Sequence, residues 1–240
     1  MKTRKFKKQG LEIHETASPS QCQCDINCMR RALPKKAFCS VHANSCNRKS
    51  PLSGWEPQYD PSIWNMYVAI KETHNCFSYA MNVFDKKQIA KCHGKKECNA
   101  PFHQPGASAG YDKFSDSKPK TCPNMVARIL GDNPTISITD FTTKCPPGNS
   151  KIALIIDESD DYHFLRQDSS KYWSHKPGGQ RVTRIDAKGH TIWDPKLANY
   201  DYTLTGGKLK YDIFCSYMCV PRNRPLFLRV GGGKTRRAVK

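Results

Sequence analysis

Apolar residues recur along this chain with two different periods. Phe77, Ala80, Met81 and Phe84 fall at i, i+3, i+4 and i+7, which predicts one buried face of a helix. Asn75 stands just before it as an N-cap. Residues 125–130 predict a second short helix, with Gly131 as its stop. The run KIALIID (151–157) is apolar, rich in β-branched residues and bounded by turn signals, so it predicts a buried strand. DYHFLRQ (161–167) alternates, and KYWSHK (171–176) follows a short polar link. The two read as a hairpin. Further strands are expected around residues 181–185 and 211–220. One helix followed by antiparallel strands makes the fold class α+β.

Polar and turn-rich stretches divide the chain. Residues 1–21 read as a basic extended arm, residues 22–50 as a small module dense in Cys and His, residues 51–221 as the main α+β domain and residues 222–240 as a basic tail. Pro51, Gly54, Pro57 and Pro61 punctuate the connector into the main domain. Residues 92–124 read as an irregular insertion, and no internal repeat is present.

Charge changes this picture only at the ends. The formal net charge is +18; residues 1–50 hold 11 Lys/Arg against 3 Asp/Glu, and residues 222–240 hold 7 Lys/Arg and no acid. Basic ends of this kind attract nucleic acid, acidic protein surfaces or anionic membrane. No apolar run approaches the roughly 18 residues of a membrane span, so no transmembrane segment is expected. MKTRKFKKQG is basic without a following apolar stretch, so no secretory leader is expected. That places the twelve cysteines in a reducing compartment, where metal binding or catalysis is favoured over disulfides.

Two candidate sites follow. In CQCDINCMRRALPKKAFCSVHANSC, Cys24 and Cys28 form one ligand pair and Cys39 and His42 another, a spacing that suits tetrahedral zinc. Cys22 or Cys46 can replace one member. Metal binding would supply the folding energy that so short a segment lacks. Arg30, Arg31, Lys35 and Lys36 lie between the pairs, but no recognition-helix pattern accompanies them, so DNA reading is not assigned. Cys92, His93, Cys98 and His103 make a looser second cluster, and Cys92–Cys98 is equally readable as a disulfide. Cys122, Cys145, Cys215 and Cys219 are pairs or core thiols.

The second site is catalytic in type. Cys76 sits in the first turn of the predicted helix, where unpaired N–H groups favour a thiolate. The base must come from elsewhere. His163 is the assigned base and His175 the group that orients it, with Asp186 as the fallback orienter.

Five blocks, NCFSYAMN (75–82), HQPG (103–106), DYHFLRQD (161–168), WSHKPGG (173–179) and CSYMCVP (215–221), together resemble an uncharacterised family of large DNA viruses of protists and algae with scattered bacterial relatives. Its members are similar to papain-like cysteine hydrolases, notably bacterial cell-wall peptidases and amidases. The resemblance implies a papain-like scaffold over about residues 51–221, with Cys76 as nucleophile, His163 as base and His175 as third member. The Gln with which papain completes its oxyanion hole has no counterpart, and the insertion at 92–124 is placed to cover the cleft. The function expected is therefore a structural or accessory protein of the virion, of minor-capsid type, met in the host cytoplasm during assembly. Its basic ends would hold neighbouring viral structural proteins or nucleic acid. The alternative is an active cysteine peptidase or amidase acting on a peptide or amide substrate.

Overall fold

A computed structural model describes residues 7–8, 11–12, 21–95, 98, 100–114 and 119–231. Strands β1 (Lys7–Lys8) and β2 (Leu11–Glu12) pair within the arm. Five α-helices follow: α1 (Pro61–Asn65), α2 (Val68–Thr73), α3 (Cys76–Met81), α4 (Lys86–Cys92) and α5 (Cys122–Asp132). The main sheet holds β3 (Ser137–Thr139), β4 (Asn149–Ile156), β5 (Tyr162–Gln167), β6 (Trp173–His175) and β7 (Ile213–Pro221). Its order is β3-β7-β4-β5-β6, antiparallel throughout. The α+β class stands.

Strand periodicity explains the two cores. Ile152, Leu154, Ile156, Tyr162, Phe164, Met218 and Val220 face Phe77, Ala80 and Met81 of α3 and Met125 and Ile129 of α5. The alternate residues Ala153, Ile155, Leu165, Trp173 and Tyr217 face the other way. They are covered by an irregular segment carrying Ile192, Ala198, Tyr200 and Tyr211. β4 lies between β7 and β5 and is buried on both faces, which is why its sequence is an unbroken apolar run.

Several boundaries differ from expectation. Asn75 does cap α3, its side chain accepting from the N–H of Ser78 at 3.2 Å. The helix ends at Asn82, however, in the left-handed region at φ 56°, so Phe84 leaves the stripe and stacks on Trp64 at 4.1 Å. Gly131 does not stop α5, which runs on to Asp132. A Cβ there would lie 3.1 Å from Tyr111 and 3.2 Å from Ala109, so glycine lets the insertion pack close. Residues 181–185 form only isolated bridges, His175 to Thr183 and Ile185 to Thr191.

The insertion is pinned to α5. Asp132 accepts from the N–H groups of Gly106 (2.7 Å) and Ala109 (2.8 Å). Arg128 donates to the Asp112 carbonyl at 2.8 Å and lies over the Phe114 ring.

The tail boundary is corrected. Residues 222–231 belong to the fold: Arg222 donates to the carbonyls of Ala80 and Met81 at the end of α3, at 2.9 and 2.7 Å. Leu226 and Leu228 pack against the α3 core, Asn133 exchanges two hydrogen bonds with Phe227, and Val230 bridges His103. Residues 232–240 lie outside the described residues, as do residues 1–6, 9–10 and 13–20 of the arm. Among the described residues no helix is long and apolar enough to cross a membrane.

Candidate functional site

The N-terminal module is built from tight turns. Cys22 N–H bonds the Arg30 carbonyl (2.9 Å), Cys28 N–H the Asp25 carbonyl (3.0 Å), and His42 N–H the Cys39 carbonyl (3.1 Å). These turns gather Cys22, Cys28, Cys39 and His42, whose ligand atoms all lie within 4.8 Å of one another. Cys22 Sγ is 3.3 Å and Cys39 Sγ 3.6 Å from His42 Nδ1, and the Cys28 and Cys39 sulfurs are 4.0 Å apart. A tetrahedral ion with bonds of about 2.0–2.3 Å needs separations of roughly 3.5–3.8 Å. Three thiols and an imidazole are a soft donor set of the right size, so the group can hold a metal ion. The expected ligand Cys24 is corrected: it is bonded to Cys46 as a disulfide, and Cys22 takes its place. Burial pushes the Cys22 thiol up to about 11. At Cys39 burial acts the same way, but N–H groups of the His42 turn and the neighbouring thiols outweigh it and bring the thiol to about 7.

The module is docked, not tethered. The fully buried Gln23 donates to the Thr191 carbonyl (3.1 Å) and accepts from the N–H groups of Trp193 (2.7 Å) and Asp194 (3.2 Å). Phe38 meets the Trp193 ring edge-on, the Trp193 indole donates to the Arg48 carbonyl at 3.0 Å, and Arg48 pairs with Asp194.

Eight of the twelve cysteines form disulfides: Cys24–Cys46, Cys92–Cys98, Cys122–Cys215 and Cys145–Cys219, with Cα separations of 5.2–5.6 Å. The sequence favours metal binding or catalysis over disulfides for the cysteines as a set, with Cys92–Cys98 and the last four left open as pairs; the fold presents all of these at bonding distance.

Of the candidate catalytic residues, the structure brings two together. His163 Nε2 and His175 Nδ1 are 2.8 Å apart, and His175 Nε2 is 3.0 Å from the Ile185 carbonyl. A carbonyl only accepts, so His175 Nε2 carries the proton and its Nδ1 is an acceptor. His163 Nε2 is therefore the donor, and its Nδ1 carries the lone pair. Burial lowers both imidazoles, His175 to about 4 and His163 well below its ordinary value. Both are neutral at pH 7.

Cys76 is placed differently. It opens α3 as expected, but strand alternation turns Tyr162 and Phe164 towards α3 and His163 towards the opposite face. β6 ends at His175 opposite Leu165, leaving the β5 edge beyond it without a strand. The Cys76 sulfur meets that edge, 3.9 Å from the Tyr162 carbonyl. No hydrogen bond joins it to His163 among the described residues. The thiol is 5 % exposed. Burial pushes it up to about 12, with Asp161 adding to the effect, so the helix-start advantage is overridden. The fallback Asp186 is spent on the N–H groups of Lys188, His190 and Asn199 and orients neither imidazole.

Sequence spacing missed one polar network. Ser78 Oγ lies 2.9 Å from His103 Nδ1, His103 Nε2 lies 3.0 Å from Asp85, and the Asp85 N–H donates to His74 Nε2 at 2.9 Å. His103 is thus no member of a cluster with Cys92 and Cys98. Ser78 is fully buried, and the network fastens α3, α4 and the HQPG turn. Only that turn block hinted at it. A cleft of about 450 Å³ lies elsewhere, between Val126, Ile138, Phe141, Phe214 and Tyr217, and none of Cys76, His163 or His175 lines it.

No protein-family model matches the chain, and no solved structure matches it. The chain is similar to insoluble matrix shell protein 1 of Ruditapes philippinarum, 29 % identical over 143 residues, covering 59 % of this chain and 80 % of that protein.

Proposed function

We propose that the protein is a structural component of a large assembly, built on a papain-like scaffold whose cysteine is held as a sealed neutral thiol. The observation that carries this reading is Cys76 itself, 5 % exposed, pushed up to about 12 and without a hydrogen bond to His163. Cross-links supply the working chemistry instead: four disulfides and a zinc ion held by Cys22, Cys28, Cys39 and His42. Zinc is preferred because tetrahedral thiolate–imidazole sites without an open position are its usual structural sites. The assembly is the virion that the sequence blocks imply, with basic ends attracting neighbouring subunits or nucleic acid. The name of the shell relative, an insoluble matrix protein, belongs to the same physical class.

A second reading, a cysteine peptidase or amidase, is favoured by one observation. The chain from Ile185 through His175 fixes the lone pair of His163 on Nδ1, the tautomer a general base needs. Iodoacetamide labelling of the folded protein at pH 7.5, read peptide by peptide, separates the two. The structural reading expects the half-buried Cys28 to label before Cys76 in metal-stripped protein, and Cys76→Ala to leave particle incorporation unchanged. Fastest labelling at Cys76, with amide hydrolysis abolished by Cys76→Ala, would establish the enzyme instead. Elemental analysis tests the zinc.

A further inference from the structure

The module contains five cysteines, and only Cys24 and Cys46 are paired. The remaining three, Cys22, Cys28 and Cys39, are an odd number of thiols inside one 4.8 Å group in a protein that otherwise oxidises its cysteines in pairs. Any intrachain bridge among them leaves one sulfur over. The fourth free cysteine, Cys76, is buried beneath the other domain's core and takes no part.

We infer that the metal withholds these three thiols from oxidation, and that its loss makes Cys28 a covalent cross-linking site between two copies of the chain. This rests on the metal reading of the cluster. The choice of Cys28 follows from access: Cys22 is 0 % and Cys39 1 % exposed, whereas Cys28 is half-buried. Whichever pair closes first, thiol–disulfide exchange among sulfurs this close moves the bridge. The resting state is Cys22–Cys39 with Cys28 facing out. Ile26 and Met29, 44 % and 80 % exposed on either side of Cys28, give a second copy an apolar surface to meet. With hydrogen peroxide as oxidant, two Cys28 thiols on two chains lose two electrons and two protons. One S–S bond forms, the O–O bond breaks, and two waters leave. The Cys22–Cys39 bridge in each of the two chains consumes one further peroxide in the same way.

The test uses the full chain. Metal content is measured first, then metal-loaded and chelator-stripped protein are treated with peroxide and run on a non-reducing gel, with the bridges mapped by mass spectrometry. The expected result is a monomer when loaded, and at least a tenfold faster appearance of dimer when stripped, carrying Cys28–Cys28 between chains and Cys22–Cys39 within them. Cys28→Ser should abolish the dimer and keep the inner bridge, which shows that the module still folds. Bound metal with equal dimer formation before and after stripping overturns the inference and leaves the metal site standing. Absence of bound metal overturns both. A dimer bridged through Cys76, or one that survives Cys28→Ser, also overturns it.

Discussion

Gln23→Ala tests whether the metal module is part of the body or a separate bead. The buried side chain makes three hydrogen bonds, one to the Thr191 carbonyl and two from the N–H groups of Trp193 and Asp194. Truncation leaves one acceptor and two donors without partners. Each orphaned buried group costs ~1–3 kcal/mol, and water entering the space left by the amide recovers part of the sum. A net loss of about 2–4 kcal/mol of docking free energy is expected, or ~30- to 1000-fold more frequent undocking. The indole N–H of Trp193 is the reporter, because it donates to the Arg48 carbonyl and is not one of the three bonds removed. Its hydrogen exchange, followed by NMR, should quicken by that factor while β4 amides keep their protection. Indole protection unchanged within threefold would refute the docking account. Equal loss in β4 would show global unfolding rather than undocking.

Burial lowers His74 and His175 to about 4 and also lowers His103 and His163. Because the unfolded chain binds protons near pH 6.5 that the fold refuses, stability should fall as pH drops from about 6.5 to 5; a urea midpoint independent of pH over that window contradicts this. Replacing Cys145 and Cys219 by Ser removes a link across 74 residues, for which chain entropy predicts a loss of ~4 kcal/mol; thermal unfolding should shift down by about 8 °C or more, and an unmoved midpoint counts against the pairing. Chelation of bound metal should raise exchange at the Cys22 and His42 amides, which close the metal-gathering turns, well before it touches the sheet; a simultaneous loss in β4 runs against a local role.

What was legible in the sequence had a period or a cap. KIALIID gave β4, alternation gave β5 and β6, and Asn75 marked the start of α3, because burial on one or two faces writes itself directly into residue order. What was not legible depended on distance through space. The ligand exchange between Cys24 and Cys22 depends on which turns close first around Arg30 and Cys39, and five cysteines in 25 residues do not reveal that by spacing. The Cys122–Cys215 and Cys145–Cys219 links span 93 and 74 residues and need α5 and the segment before β4 to meet β7. Charge counting misled at the C-terminus, where seven basic residues hid Leu226 and Leu228, two apolar positions that pack on the core, and the backbone of Phe227 that bonds Asn133.

The pairing of His163 with His175 does not by itself decide between a catalyst and a scaffold, since two buried imidazoles need partners in either case. The sulfur decides. A helix start and two nearby N–H groups favour a thiolate at Cys76, yet burial prevails and leaves the thiol at about 12. Bringing it to neutrality means recovering about five pKa units, or ~7 kcal/mol of differential interaction. A substrate can supply that only by binding an opened form better than the closed one by the same amount. In the core that holds Cys76, Phe114 meets Tyr162 and lies under the Arg128 guanidinium on α5, and α5 is tied to β7 by Cys122–Cys215. The core around Cys76 is thus stapled from two sides. A turnover-competent state would therefore show itself as faster Cys76 labelling when Cys122 and Cys215 are replaced by Ser, and labelling that stays slow after the staple is removed places the barrier in the packing itself.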